Sequence, residues 1–277
     1  MYPKILQKFD AFLVKTVYGY ANRRWYRNPL TKKVKADKET YWRLWDDAKS
    51  RTFPVIDAIE KTYGYAISPE FLHQLALHTQ VVIKNSSINY QHGRVLYAIL
   101  SKYISETEAD TYNIIETGTA MGFSSLCMAK ALQDKNANGK ILTFDVLPHQ
   151  KKIYWNCIDD LEGKKTRAEL LKNYSYLCNR YIIFHQGNTV TEMSKVYMTR
   201  IHFAFLDGGH DYHHLKAELR HIMPCQFKND VILFDDYSPS KFPGLAKAVD
   251  EMCAEFEYAK ELIRADEERS YLLARKK

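Results

Sequence analysis

Short apolar runs alternate with longer amphipathic runs from about residue 110 onward, and this alternation limits the fold more than any other feature of the chain. The short runs predict strands at 111–116, 140–145, 181–186, 201–207 and 230–236. Strands separated by helices pair in parallel, and the helices then cover both faces of the sheet. We therefore predict an α/β fold with a doubly wound, mostly parallel sheet.

The two ends of the chain depart from this alternation. YAKELI and SYLLAR, joined by the charged turn RADEER, predict a closing hairpin. Before residue 110, QHGRVLYAIL predicts a helix ahead of the first strand. We divide the chain into an N-terminal helical extension at 1–80 and a ligand-binding domain at 81–277, with an insertion at 147–166.

Composition excludes several classes of protein. A chain of 277 residues with 46% hydrophobic content can bury a large core without disulfides. The five cysteines are scattered and never spaced as C-x-x-C, so neither a disulfide framework nor a thiolate zinc site is indicated. No apolar run is long enough to span a membrane, and the N-terminus does not resemble a signal peptide. A cytoplasmic protein is the expectation.

The positive charge of the chain is confined to its N-terminus. Residues 1–51 hold thirteen Lys or Arg and five Asp or Glu, a balance of +8, so the remainder of the +7 chain sums to −1. Seven apolar residues recur there at helical spacing, with lysines between them: Ile5, Leu6, Phe9, Phe12, Leu13, Val17 and Tyr20. We favour a helix packed on its own domain or on a second subunit of a homo-oligomer. The alternative is peripheral contact of residues 1–28 with an anionic membrane.

Nucleic-acid binding is the least favoured use of this basic segment. It would rest on Arg23, Arg24, Trp25 and Arg27, and no nucleic-acid-binding motif accompanies them. We expect no nucleic-acid partner.

The carboxyl ends of the predicted strands carry the candidate ligand site, because ligands of such sheets bind there. In ETGTAMGFSS, Gly118 and Gly122 permit a tight turn that a ligand can approach closely, and Ser124 opens the next helix. Asp145, at the second strand end, can accept hydrogen bonds from ribose hydroxyls, or can cap a turn. Gly187 and Asn188, after the third strand, suit the edge of an adenine. The ends together indicate a nucleoside ligand without a pyrophosphate.

In these motifs residues 110–275 resemble class I S-adenosylmethionine-dependent methyltransferases. The resemblance implies a seven-stranded sheet whose last strand is antiparallel, and S-adenosylmethionine as cofactor. It implies cofactor contacts from the ETGTAMGFS motif, from the later strand ends and from the start of the preceding helix: Glu116, Gly118, Thr119, Gly122, Ser124, Asp145, Gly187, Asn188 and Ser87. The helical extension and the insertion are then expected to cover the acceptor pocket.

Strands four and five end in LDGGHDY and LFDDYSP, which lie side by side in this fold. Asp207, Asp235 and Asp236 can converge there as oxygen ligands of Mg²⁺, or of Mn²⁺ or Ca²⁺, and without a cation they would repel one another. The pattern resembles metal-dependent small-molecule O-methyltransferases of the catechol, macrolide-sugar and cephamycin-biosynthesis type, which implies that these three residues are metal ligands.

The same motif does not decide which residue is the catalytic base. His210 stands where catechol enzymes have a lysine, and Gly209 where sugar enzymes often have an aspartate. An imidazole titrates near neutral pH, so His210 is our candidate base beside Asp207, although it could simply hydrogen-bond the loop. We expect His213 and His214 to lie on the surface of the next helix, or behind the residues that contact the ligand.

The predicted function is metal-assisted O-methylation of a sugar hydroxyl in a glycan, a glycolipid or a glycosylated natural product. A small-molecule or saccharide acceptor is the expected partner. The alternatives are a catechol-type phenol O-methyltransferase and a non-catalytic cofactor-binding or hydroxylase-accessory protein.

Overall fold

A seven-stranded sheet forms the centre of the molecule, which the computed structural model describes over residues 4–25, 28–267 and 269–277. Its strand order is β3-β2-β1-β4-β5-β7-β6; β1 to β5 are parallel, and β7 is antiparallel to both β5 and β6. The strands are β1 (Tyr112–Thr117), β2 (Gly139–Asp145), β3 (Ile182–Gln186), β4 (Phe203–Leu206), β5 (Val231–Phe234), β6 (Tyr258–Arg264) and β7 (Ser270–Lys276). This confirms the predicted fold class and the closing hairpin.

Helices precede the sheet and connect its strands. They are α1 (Lys4–Trp25), α2 (Lys38–Lys49), α3 (Pro54–Tyr63), α4 (Pro69–Thr79), α5 (His92–Glu106), α6 (Phe123–Asp134), α7 (Arg167–Leu170), α8 (Ser175–Tyr181), α9 (Thr189–Glu192), α10 (Tyr212–Ile222) and α11 (Pro243–Glu255). The helix predicted at QHGRVLYAIL is α5.

Strand register places the candidate site residues together. Thr117 of β1 lies beside Leu206 of β4, and Leu206 lies beside Phe234 of β5. Every residue of β4 and β5 is buried, as continuous apolar strands of a covered parallel sheet require. Because the three strands end at the same level, Asp207 and Asp235 leave the sheet as neighbours.

The helices from α2 to α4 and the insertion belong to the same body as the sheet. Tyr41, Ile56 and Leu75 share one apolar core with residues of α5, α6 and β1. The insertion contacts α4 where His78 Nδ1 lies 2.5 Å from Asp159 Oδ2. The N-terminal helices therefore extend the core on one face of the sheet, while α10 and α11 cover the other.

Helix α1 differs from the other N-terminal helices. Its large apolar side chains that the structure describes are exposed, from 42% for Leu6 and Leu13 to 78% for Ile5. These described side chains do not pack on the protein's own domain, and packing on a second subunit stays a prediction. The side chains of Tyr20 and of residues 23–25, and residue Arg27, lie outside the described part. Among the described residues, no helix is long and apolar enough to cross a membrane.

Candidate active site

A cavity of about 330 Å³ opens at the carboxyl ends of β1, β2 and β4. It brings together five of the residues predicted from separate strand ends: Gly118, Asp145, Gly187, Asn188 and Asp207. Ala120, Phe144, Val146, Thr189, Gly208, Gly209 and His214 complete the lining. A ligand in this cavity would contact the ends of all three strands.

The turn after β1 requires glycine at its first position. Gly118 has φ +90°, and a Cβ atom there would lie 2.1 Å from the backbone oxygen of Asp207. A side chain would therefore clash with the end of β4 in a backbone conformation that L-residues already disfavour. Glycine lets the two strand ends meet at the cavity floor. Gly122, at φ +98°, then caps the start of α6.

Asp145 performs the turn-capping role and also lines the cavity. Its Oδ2 accepts a hydrogen bond from the amide of Ala120 at 2.6 Å, and its Oδ1 accepts one from the amide of Leu147 at 2.8 Å. A carboxylate oxygen can accept more than one hydrogen bond, so these contacts leave capacity for ligand hydroxyls. The two sequence interpretations of Asp145 are thus compatible.

Glu116, Thr119 and Ser124 lie beneath the turn and do not line the cavity. Glu116 is completely buried and accepts hydrogen bonds from the hydroxyls of Ser124 and Ser125. Burial raises the pKa of Glu116 while these hydroxyls lower it. Thr119 shares a hydrogen bond with Thr143 of β2. These side chains stabilise the turn on the side that faces away from the cavity.

The loop after β3 is held in place by Asn188 and by residues that sequence reasoning missed. Asn188 Oδ1 caps α9 by accepting from the Val190 amide at 3.0 Å. His214 Nε2 lies 2.6 Å from the Thr189 hydroxyl and 3.1 Å from a carboxylate oxygen of buried Glu218. The hydrogen bond with Glu218 raises the pKa of His214 against the effect of burial.

His214 therefore lines the cavity, and only His213 lies on the helix surface as expected. The sequence signal that could have revealed this is the i, i+4 pair of His214 and Glu218, which share one face of α10.

An acidic cluster closes one side of the cavity. Asp207, His210 and Asp236 each offer a ligand atom, and these atoms lie within 4.8 Å of one another. Burial and the neighbouring carboxylates of Asp235 and Asp236 raise the pKa of Asp207 well above its ordinary value. Asp236 has φ +53°, a conformation that a non-glycine residue keeps only when its surroundings impose it. Two carboxylates and an imidazole fit Mn²⁺, and the carboxylates fit Mg²⁺.

The third predicted metal ligand has a protein partner. Asp235 is completely buried, and its carboxylate accepts two hydrogen bonds from Arg269, at 3.2 Å from Nε and 2.5 Å from Nη2. Burial alone would lower the pKa of Arg269, but the Asp235 carboxylate raises it. Arg269 belongs to the charged turn RADEER, whose residues the sequence alone predicts to be solvated.

A second cavity, of about 270 Å³, lies beyond Asp236. Its lining is mostly polar: Lys84, Ser86, Ser87, Asn89, Asp236, Lys241, Phe242, Asp266 and Arg269. Ser87, which was predicted to contact the cofactor, lies here and not in the first cavity. The ring of His210 stacks on Phe242 with centroids 4.8 Å apart. The acidic cluster therefore stands between two cavities, with Asp207 in one wall and Asp236 in the other.

Comparison with known proteins agrees with this architecture. A family model described as a methyltransferase domain matches residues 115–237, from β1 to the end of β5. Among solved structures, the O-methyltransferase NovP is 18% identical, with a TM-score of 0.52 over 68% of this chain and 81% of that chain. The apo structure of CalS11, a TDP-rhamnose 3'-O-methyltransferase, is 17% identical, with a TM-score of 0.51 over 87% of this chain and 96% of that chain.

At these identities the solved structures establish the fold, and no curated protein matches the chain. The matched family model spans the strand ends that build the first cavity. Residues 115–237 therefore match a methyltransferase domain, and the whole chain has the Rossmann-like fold of class I methyltransferases.

Proposed function

We propose that the protein transfers a methyl group from S-adenosylmethionine to a hydroxyl of a polar acceptor, preferably a sugar, with the help of a divalent cation. One observation carries the proposal: the cluster of Asp207, His210 and Asp236 separates a cavity at the strand ends from a second, polar cavity. A cofactor in the first cavity and an acceptor in the second would meet at this cluster.

The first cavity is the proposed cofactor site. Asp145 accepts the ribose hydroxyls, and Gly187 and Asn188 border the adenine. Gly118 lets the methionine portion approach the backbone of the turn closely. These residues orient the cofactor, which supplies a methyl group on a positively charged sulfur, and orientation is the main requirement of a direct methyl transfer.

Asp207 and Asp236 are the proposed principal ligands of the cation. The cluster fits such an ion by charge as well as by donor type, because one guanidinium faces three neighbouring carboxylates: Arg269 lies 2.5 Å from Asp235 and 3.8 Å from Asp236. When bound, a divalent ion orients an acceptor hydroxyl and lowers its pKa.

His210 is the proposed base. Its ring lies against Phe242, which lines the second cavity, and Nε2 is 4.0 Å from Asp236 Oδ2. S-adenosylmethionine held in the first cavity would supply the methyl group, and His210 would accept the proton that the acceptor hydroxyl loses.

The polar lining of the second cavity favours a sugar over a flat phenol. Lys84, Ser86, Ser87 and Asn89 offer many hydrogen-bonding groups, whereas Phe242 is the one aromatic ring in the described lining. The CalS11 enzyme, of similar fold, is named for a rhamnose hydroxyl. A glycan, a glycolipid or a glycosylated natural product would present such a hydroxyl.

Calorimetry with S-adenosylhomocysteine tests the cofactor site. Asp145→Asn should weaken binding by about tenfold or more, because the carboxylate that accepts both ribose hydroxyls is lost. Asp211→Asn is the matched control: Asp211 caps α10 outside both cavities, and asparagine caps a helix equally well. Equal affinity in the two variants would contradict the assignment of Asp145.

Transfer of a labelled methyl group into cell extract, followed by separation into lipid, glycan and small-molecule fractions, tests the acceptor. Label in a saccharide-containing fraction supports the proposal, and label in a free phenol supports the catechol alternative. Cofactor binding without transfer to any fraction would favour the accessory role.

A further inference from the structure

Helix α1 presents an apolar face that the rest of the chain does not cover. Six residues recur on one side of the helix, and all are exposed: Ile5, Leu6, Phe9, Phe12, Leu13 and Val17. The exposed fraction is 57% for Phe9 and 63% for Phe12. An uncovered row of this size on a helix of 22 residues, about 33 Å long, indicates a partner.

The polar residue within this row has its hydrogen bond satisfied by the helix itself. Thr16 lies between the apolar positions by helical spacing, and its hydroxyl donates to the carbonyl oxygen of Phe12 at 2.8 Å. A hydroxyl bonded in this way can enter an apolar phase at a much lower cost than a free one. The face therefore suits burial along its whole length.

Charge indicates the kind of partner. The helix carries five Lys or Arg and one Asp, and helical spacing places Lys8 and Lys15 on the side away from the apolar row. Pairing the helix with the same helix of a second copy would cover the apolar row but would leave this positive charge without a partner of opposite sign. A bilayer with anionic lipids accepts both the apolar row and the surrounding positive charge.

We propose that α1 lies in the surface of an anionic membrane, with its apolar row in the headgroup region and its lysines at the lipid phosphates. The methyltransferase domain is then held beside the membrane by a helix that lies in its surface. This role is independent of the acceptor and of the metal site.

Sedimentation of the full chain with lipid vesicles tests the proposal. The protein should bind vesicles of phosphatidylcholine mixed with phosphatidylserine, should bind pure phosphatidylcholine much more weakly, and should be released as salt is raised. Equal binding to both kinds of vesicle, or to neither, would overturn it.

Two neighbouring lysine substitutions separate insertion from simple charge attraction. Phe12→Lys removes a side chain from the apolar row and should lower the vesicle-bound fraction about tenfold, although it adds a positive charge. Ala11→Lys adds the same charge on the polar side and should leave binding unchanged or stronger. Both positions are exposed, so both variants should keep the wild-type Tm.

Tighter vesicle binding by both variants would mean that charge alone attracts the helix, which contradicts insertion. A dimer in sedimentation velocity that Phe12→Lys dissociates, in a protein that does not bind vesicles, would assign the apolar row to a second copy and would also overturn the proposal.

Discussion

At the residue scale, one arginine makes two adjacent carboxylates differ in how available they are to a cation. Asp235 and Asp236 are adjacent in sequence, yet Asp235 is buried against Arg269, whereas Asp236 faces the second cavity beside His210. A buried carboxylate with a bidentate guanidinium partner has most of its hydrogen-bonding capacity in use. The two aspartates should therefore differ in their importance for a bound cation.

Manganese binding measures that difference. Asp236→Asn should weaken Mn²⁺ binding in calorimetry by about tenfold or more, because it removes a charged oxygen ligand. The double variant Asp235→Asn/Arg269→Gln removes an equal and opposite pair of charges and should keep the Mn²⁺ affinity within about threefold.

The double variant is preferred to Asp235→Asn alone, which would leave Arg269 buried without its partner. Loss of Mn²⁺ binding in the double variant, with unchanged Tm, would make Asp235 a ligand. Wild-type affinity in Asp236→Asn would remove Asp236 from the site.

At the scale of elements, α10 shows how one helix joins the sheet to the first cavity. Asp211 caps its first turn, and Glu218 on its buried side accepts hydrogen bonds from Thr117 of β1 and from Thr189 of α9. His214, one turn before Glu218, completes this network in the cavity wall. The helix thus fixes the position of the loop after β3 relative to the turn after β1.

The stability contributed by His214 should depend on pH. Because the pKa of His214 is raised on folding, its ion pair with Glu218 stabilises the protein fully below the unfolded value of about 6.5. That stabilisation is lost as the pH rises through the folded-state pKa. His214→Gln should therefore lower the free energy of unfolding by about 1–2 kcal/mol at a pH of about 5.5, and by less at a pH of about 9.

His213→Gln is the matched control, because the adjacent His213 is exposed on the same helix. Denaturant unfolding at both pH values should show a change of less than about 0.5 kcal/mol for it. A loss in His214→Gln that is the same at both pH values would argue against the ion pair.

At the scale of the whole molecule, the N-terminal region divides into two functional parts. Helices α2 to α4 share the core of the sheet, and Arg94 of α5 pairs with Asp57 and Glu60 of α3. Helix α1 contributes none of its described apolar side chains to that core. Among the described residues, the change from exposed to buried apolar side chains therefore falls between α1 and α2.

Removing residues 1–27 tests this division. The cut precedes Thr31, which pairs with Tyr154 of the insertion, so the contacts of the core remain. The shortened chain should keep its Tm within about 2 °C and its affinity for S-adenosylhomocysteine, because no apolar core is opened. A fall in Tm of more than about 5 °C would show that α1 stabilises the domain in solution.

The sequence by itself determined the parallel sheet, its closing hairpin and the five strand-end residues of the first cavity. Strand periodicity and turn chemistry are local, so Gly118 and Asp145 could be placed from their neighbours alone. Glu116 and Ser124 were predicted to contact the ligand, but they are buried and support the turn. A motif identifies a turn and does not show which of its side chains face outward.

Only the tertiary structure decided which partner each polar side chain finds. Arg269 reaches Asp235 across 34 residues of sequence when β7 returns beside β5. Helical spacing could identify the apolar row of α1, but its exposure depends on whether any other part of the chain packs against it. Ion pairs and burial between distant segments depend on how the elements assemble, which no local pattern in the sequence records.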